Sequence, residues 1–284
     1  GHAVNIAPND LVLEIGSGHN PKVRADVLCD KYLLDDTERG GAIVADRPFV
    51  VGDAEALPFR DGAFDYVICT HVLEHAQDVE RFIAELQRVA TAGYIETPSE
   101  VGEWLYGWEY HRWLVNRIDG RLVLRRKTER GPFGRLFHEM GATDADFMAL
   151  HRRYHHVFLV QHEWRTKIDY EVRDTGDAPF DLDDEAVATA MLQGGARPGP
   201  MSRVKSAIWT RMPDSWRAGS KGLLTRGARS ARRRVDLRDV AACPRCKGSL
   251  RWESGAAHCE ADGLSFEIRD GIPILLLPDE AGAA

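Results

Sequence analysis

Short apolar runs alternate with amphipathic stretches over the first hundred residues. The runs Leu11–Ile15, Ala25–Cys29, Phe49–Val51, Phe64–Thr70 and Ala92–Thr97 are dense in Val, Ile, Leu and Tyr rather than alternating apolar with polar. That pattern belongs to strands covered on both faces. Before the last run, Asp78–Ala90 sets Val79, Phe82, Ile83, Leu86 and Val89 on one helical stripe. Strands alternating with a helix predict a parallel sheet.

Residues 98–175 are rich in Trp, Tyr and His, and carry strand-like runs at Arg121–Arg125 and Lys167–Val172. These runs are expected to finish the sheet around an inserted, substrate-facing segment. From about residue 174 the chain turns acidic, then basic. Residues 203–238 hold eleven Lys and Arg against two Asp, a net +9 that leaves −16 on the remainder. A partly helical linker with a solvated basic face accounts for this stretch; a stripe that tracks phosphates is the alternative. The expected organisation is a domain over residues 3–175, a basic linker over 176–238 and a small separate unit over 239–284.

With 284 residues the chain is comfortable for two domains, and 44% hydrophobic with 29% charged residues is ordinary globular composition. The net charge of −7 argues against a protein that is basic throughout. No apolar run approaches the ~18 residues of a membrane span. The leading Gly1-His2 is read as a remnant of expression, and no signal-peptide pattern follows. Of five cysteines, Cys29 and Cys69 sit singly in apolar stretches, as buried thiols do. Cys243, Cys246 and Cys259 cluster with metal-knuckle spacing, which points to a reducing cytoplasm rather than to disulfides.

The turn after the first run, "LEIGSGHNPK", raises the chemical question. A dinucleotide seat needs a third glycine, so that a helix N-terminus can hold the pyrophosphate. Here that position is Pro21, and the acid Asp30 arrives only twelve residues after Gly18. A ligand without phosphate needs no such seat. S-adenosylmethionine (SAM) is one: its amino-acid end and ribose can lie over Gly16 and Gly18, where missing side chains permit close approach. Asp30 can then accept both ribose hydroxyls. Asp53, after the third run, can accept the adenine amino proton, and the Ala54 amide can meet the ring. Taken alone, a Gly-x-Gly is equally a tight turn.

The set "LEIGSG", "GDAEALPF", "FDYVICTHVLEH" and the helix before "GYIETPS" resembles, in order and spacing, the class I SAM-dependent methyltransferases of the small-molecule branch. The resemblance covers residues 9–100. It implies a Rossmann-like doubly wound α/β sheet and a cofactor loop of Glu14, Gly16 and Gly18. Asp30 is implied at the ribose, and Asp53 and Ala54 at the adenine. The chain departs from the pattern at Asn20, where a third small residue is common, and in a first helix cut short by Pro21.

An acceptor would lie beyond the C-terminal ends of the fourth and fifth strands. Methyl transfer to a hydroxyl needs a base. His71, also at the cofactor's edge, is the preferred candidate, with His75 four residues on; Glu74 and His75 are equally readable as structural. The stretch 97–117 carries Trp104, Trp108, Tyr110, His111, Arg112 and Trp113. As a packed lid helix it is simply core. As a platform, Trp108, Tyr110 and Trp113 would stack on a sugar while His111 and Arg112 bond its hydroxyls, with His111 a further base candidate. Downstream, His151 and His155 are spaced as a helical metal pair, with His138, His156 and His162 nearby, and His155 is placed at the substrate. Some sugar O-methyltransferases use Mg²⁺ to acidify the acceptor, although magnesium prefers carboxylates to imidazoles.

Residues 243–276 read as Cys-x₂-Cys, then Cys-x₂-Asp. Cys243, Cys246, Cys259 and Asp262 would make a tetrahedral zinc site. The alternative is a metal-free knuckle held by Ile268, Ile272, Ile274 and Leu275. "CPRCKGSL" and "FEIRDGIPILL" resemble the small zinc-ribbon-like activator proteins that partner methyltransferases, and their short bacterial relatives. The resemblance implies a small α+β unit that stabilises the methyltransferase sheet, here in cis, as a built-in chaperone or a homodimer clamp. The expected activity is SAM-dependent O-methylation of a sugar or oligosaccharide hydroxyl. A methyltransferase of tRNA or another macromolecule, and a non-catalytic SAM-binding scaffold, are the alternatives.

Overall fold

The computed structural model describes residues 4–33, 41–129, 131–173 and 234–278, with residues 185, 188 and 189. The acidic turn-rich stretch and nearly all of the basic one lie outside the described residues, and with them the readings of a linker and of a phosphate-tracking face.

The apolar runs become strands β1 (Val12–Ile15), β2 (Val27–Asp30), β3 (Phe49–Val51), β4 (Tyr66–Thr70) and β5 (Ala92–Pro98). Helix α1 (Val79–Val89) precedes β5. Asp78 caps α1, its carboxylate accepting from the Arg81 amide at 3.0 Å, which satisfies one of the free first-turn donors. All five residues of the predicted stripe are buried. The order in the sheet is β3-β2-β1-β4-β5, all parallel, followed by one antiparallel edge strand, β8 (Leu159–Arg165). Leu13, Ile15, Val27, Cys29, Val67 and Cys69 face α1, while Val12, Tyr66, Ile68 and Tyr94 pack on the other side with Val4 and Ile6. This two-sided burial is why the runs were continuous rather than alternating.

The expectation that Arg121–Arg125 and Lys167–Val172 finish this sheet is corrected. Strands β6 (Trp113–Ile118), β7 (Arg121–Arg126) and β9 (Tyr170–Arg173) form a separate three-stranded sheet. The β6–β7 hairpin turns on Asp119 and Gly120, both at positive φ, the Asp-Gly signature of a tight hairpin. The true sixth strand, β8, lies within the histidine-rich stretch, where histidines at 155, 156 and 162 masked the alternation of Val160, His162 and Trp164 inward.

Helix α2 (Glu100–Tyr106) follows β5 directly, with the Ser99 hydroxyl accepting from the Gly102 amide at 3.1 Å. Helices α3 (Gly134–Thr143) and α4 (Ala145–Arg153) and the single turn α5 (His155–Phe158) lead to β8. None of the residues of α3 or α4 is fully buried.

The C-terminal unit contains β10 (Arg251–Glu253), β11 (Ala256–Cys259), β12 (Leu264–Arg269) and β13 (Ile272–Pro273), in that antiparallel order. It does not stand apart. Val240, Cys243, Leu250, Ala257, Phe266 and Leu275 share one continuous core with β1, β4 and α1. Its tail runs parallel to β3 through a Val51–Ile274 bridge, and the Leu275 amide donates to the Val51 carbonyl at 2.8 Å. Ala242 donates to Pro58, and Arg60 to Val240, each at 2.9 Å. Lys247 Nζ reaches Glu85 on α1 at 2.9 Å and the Leu57 carbonyl at 3.2 Å. The tail therefore extends the central sheet beyond its parallel edge. Among the described residues no helix is long and apolar enough to cross a membrane.

Candidate active site

The sharp turn between β1 and β2 opens a cleft at the C-terminal ends of the parallel strands, the place where open α/β sheets bind ligands. Gly16 and Gly18 carry φ of +67° and +51°, which other residues adopt at a cost. A Cβ on Gly16 would stand 2.2 Å from Val72 Cγ2, so a larger residue there would have to push Val72 aside. The Gly18 amide donates to Asp30 Oδ2 at 2.9 Å and the Tyr32 amide to Oδ1 at 3.2 Å. The carboxylate at the end of β2 thus holds the glycine turn in place.

The cleft encloses about 470 Å³. Gly16, Gly18, Asp30, Asp53, Ala54 and His71 line it, together with His75, Tyr110 and Arg112. Asp53 caps the short turn Ala54–Ala56, accepts from the Glu55 amide at 2.7 Å and pairs with Lys31. Glu14 does not face the cleft. It is buried behind the turn, where Oε2 accepts from the Lys22 amide at 2.7 Å. Burial pushes the Glu14 carboxyl up to about 7, against the lowering pull of that hydrogen bond and of the Lys22 and Arg47 charges.

His71 adopts φ +57° at the end of β4, which turns its imidazole toward two carboxylates, Glu74 Oε1 at 3.5 Å and Glu96 Oε1 at 3.8 Å. Burial works to lower the His71 pKa, but the contact and charge of Glu74, with the charge of Glu96, raise it above the usual histidine range. Glu74 is buried, and burial works to raise its own pKa. His71, His75 and His111 outweigh that and hold the carboxyl below its usual range. Thr97 donates to Glu74 Oε2 at 2.9 Å.

The residues expected as a platform separate into three groups. Tyr110 and Arg112 reach the cleft, and Tyr110 stacks on His75 with ring centroids 5.4 Å apart. Trp108 and His111 stand behind them: Trp108 is sandwiched between Tyr106 and His111, and His111 Nδ1 lies 2.7 Å from Glu103 Oε2. Trp113 belongs to the core. It is buried on β6, its indole donates to the Ala76 carbonyl at 2.8 Å, and Arg126 covers its ring. A strand's inward face, not a lid helix, claimed this residue. His155 also stands outside the cleft lining. Tyr154 interrupts the helix, so His151 and His155 lie in α4 and α5 and share no helical face, and the expected metal pair is not assembled. His151 stacks on Phe158 instead, and His155 Nδ1 lies 3.2 Å from the Arg152 carbonyl. His138 packs edge-on against Tyr106 and Trp108.

Four residues of the site escaped the sequence reading. Lys31 neutralises Asp53, and its one signal was adjacency to Asp30. Glu96, two residues before the end of β5, faces His71. Glu103 and Lys127 form an ion pair beneath His111; they come from α2 and the end of β7, a pairing only the fold reveals.

In the C-terminal unit the four expected ligands converge. Cys243 Sγ stands 3.1 Å and Cys259 Sγ 3.4 Å from Asp262 Oδ2, Cys246 Sγ lies 3.5 Å from Cys259 Sγ, and all four donor atoms fall within 4.8 Å of one another. Three thiolates and a carboxylate at such spacing match the donors of tetrahedral zinc. Of the apolar residues named with the knuckle, Ile274 and Leu275 are buried against the central sheet.

Residues 15–95 match the family model of a methyltransferase domain. Ajmaline N-methyltransferase of Rauvolfia serpentina is 56% identical over 45 residues, 16% of this chain and 16% of that enzyme. The chain thus matches about a sixth of the length of that plant relative. A UPF0434 protein of Stutzerimonas stutzeri is 50% identical over 42 residues, 14% of this chain but 69% of that short protein. Among solved structures, the YcgJ protein of Bacillus subtilis is 24% identical with a TM-score of 0.27, over 34% of this chain and 47% of that one. A Haloferax volcanii complex of the Trm112 methyltransferase activator with a methyltransferase is 21% identical with a TM-score of 0.27, over 33% of this chain and 46% of that one.

Proposed function

We propose that this chain, whose residues 15–95 form a class I SAM-dependent methyltransferase domain and which through a further stretch belongs to the UPF0434 family, transfers a methyl group from SAM to a hydroxyl of a sugar or oligosaccharide. The observation that carries this reading is the two-sided cleft. Its cofactor wall offers a glycine turn braced by Asp30, with Pro21 in place of a third glycine, and Asp53 and the Ala54 amide farther along. Its acceptor wall offers His71, His75, Tyr110 and Arg112.

Gly16 and Gly18 let the methionine part and ribose lie against the backbone, Asp30 accepts from the ribose hydroxyls, and Asp53 with Ala54 meets the adenine. Glu14 acts from behind, by fixing the turn. The acceptor hydroxyl gives its proton to His71, whose imidazole is oriented by Glu74 and Glu96. Its oxygen bonds to the methyl carbon as the S–CH₃ bond breaks, and that electron pair returns to sulfur in S-adenosylhomocysteine. Positioning supplies much of the rate because the sulfonium is already an activated electrophile. Tyr110 supplies one stacking face and Arg112 the hydroxyl donors, a smaller platform than the sequence suggested.

The C-terminal unit, with zinc held by Cys243, Cys246, Cys259 and Asp262, acts as a stabiliser supplied in cis. Zinc would tie the two loops of the unit together. Reduced cysteines in this role agree with a cytoplasmic protein. A macromolecular acceptor such as tRNA is favoured by one feature, the basic composition of residues 203–238.

The test is a labelled-methyl transfer screen of the full chain against oligosaccharides, bulk tRNA and protein extracts. Incorporation into an oligosaccharide is expected. Incorporation into RNA alone overturns the acceptor, and incorporation into no pool, with SAM bound, favours a scaffold.

A further inference from the structure

Glu74, His75 and His111 come from the turn after β4 and the approach to β6, and one ligand atom from each lies within 4.8 Å of the others. This cluster forms the back of the acceptor wall: His75 lines the cleft, and His111 packs edge-on against it at 4.8 Å between centroids. We propose that these three side chains bind a divalent transition-metal ion, held at the acceptor end of the cleft. The proposal rests on the methyltransferase reading only for its purpose, which is to bind an acceptor oxygen and ease loss of its proton.

Three observations carry it. First, the Glu74 side chain is only about 1% exposed, and among the described residues its only ion pair is His71. Its Oε2 accepts from Thr97, while Oε1 is buried with no hydrogen bond, only the 3.5 Å approach of His71 Nδ1. Oε1 therefore keeps lone pairs turned into a site lined by imidazoles, with no Lys or Arg among its ion pairs, which leaves it able to ligate a cation. Second, His111 Nδ1 faces Glu103 Oε2 at 2.7 Å, and Glu103 is itself paired with Lys127. A carboxylate only accepts, so Nδ1 carries the proton and the lone pair of neutral His111 is on Nε2. Metal-binding histidines are oriented by carboxylates in this way. Third, two imidazoles and one carboxylate are donors suited to manganese, iron, cobalt or zinc, and not to magnesium. A filled site with bonds of ~2.0–2.2 Å would draw these donors closer than 4.8 Å.

The experiment uses the full chain, stripped with chelator and titrated with Mn²⁺ alone, which thiolates of the C-terminal cluster bind poorly. Electron paramagnetic resonance should show one bound Mn²⁺ per chain, with pulsed spectra carrying the modulation of imidazole nitrogen. His111→Ala should weaken binding by tenfold or more and remove part of that modulation. Glu103→Gln, which never touches the ion, should weaken it by ~10–100-fold; the variant loses some stability with the Lys127 pair, so circular dichroism at the titration temperature is used to show that it is folded and that the loss is not one of folding. Absence of bound Mn²⁺, spectra without nitrogen modulation, or unchanged binding in both variants overturns the site. Thermal shift with S-adenosylhomocysteine on the metal-free chain is read in parallel. A preserved shift without Mn²⁺ binding sinks the metal alone; Mn²⁺ binding without any shift keeps the metal and sinks the methyltransferase reading.

Discussion

Gly18 and Asp30 are tied by a 2.9 Å hydrogen bond from the glycine amide to Oδ2, so the acid expected at the ribose also shapes the turn beneath it. The two tasks separate in two variants. Asp30→Asn keeps an acceptor oxygen for the turn and should weaken SAM binding moderately. Asp30→Ala loses both and should weaken it by well over tenfold, with ~1–3 kcal/mol lost in stability from the unpaired amide. Isothermal titration and urea unfolding of both variants decide this, and equal SAM affinity in all three proteins would remove Asp30 from the cofactor site.

Gly16→Ala forces a Cβ to within 2.2 Å of Val72 Cγ2 at a positive φ. A stability loss of ~1–3 kcal/mol is expected from strain and overpacking. Adding Val72→Ala should recover the packing part and leave the backbone part. A double-mutant cycle by chemical denaturation measures the split.

Glu14 makes stability depend on pH. Its native pKa is raised, from 4.5 to about 7, so the folded state binds the proton more tightly than the unfolded chain. Its contribution is whole below about pH 4.5 and is lost as pH rises to about 7, a change of about 3 kcal/mol at ~1.4 kcal/mol per unit. Glu14→Gln should flatten that slope when unfolding free energies are compared at pH 5 and pH 8. A cationic cofactor favours the ionised carboxylate, so SAM affinity should rise across the same interval in the parent and less in the variant.

Zinc at the proposed C-terminal site should raise the melting temperature of the whole chain in one transition, because the unit shares its core with β1, β4 and α1. Calorimetry with and without a zinc chelator tests this; two separate transitions would show that the unit folds independently.

Lys247→Ala removes the ammonium that joins the C-terminal unit to Glu85 and the Leu57 carbonyl. Glu85 keeps Arg88, so a loss of ~1–3 kcal/mol is expected rather than unfolding. Denaturant midpoints of the parent and the variant check it.

The parallel sheet was legible because β1–β5 are covered on both faces and the stripe of α1 is unbroken from Val79 to Val89. The turn was legible because Gly16, Gly18 and Pro21 are local chemistry. Trp113 and β8 were not, since one residue type serves a core strand and a sugar platform alike, and His162 interrupts an alternation that becomes visible only against Ile95 of β5. The Glu103–His111–Lys127 network was illegible for another reason: it is assembled from three elements with no shared period. The spacing of the C-terminal cysteines foretold that they cluster with Asp262, yet nothing in that spacing said that Ile274 would pair with Val51.

That last pairing has a consequence for how the molecule lives. A stabilising subunit that must be found in solution can be diluted away, outcompeted or produced in the wrong ratio. Here the segment that covers the sheet's parallel edge is tethered to it, so its local concentration stays fixed however scarce the protein becomes. The fold's integrity should therefore be the same at nanomolar and micromolar chain, and its one route to a bare edge is cutting or misfolding of its own tail.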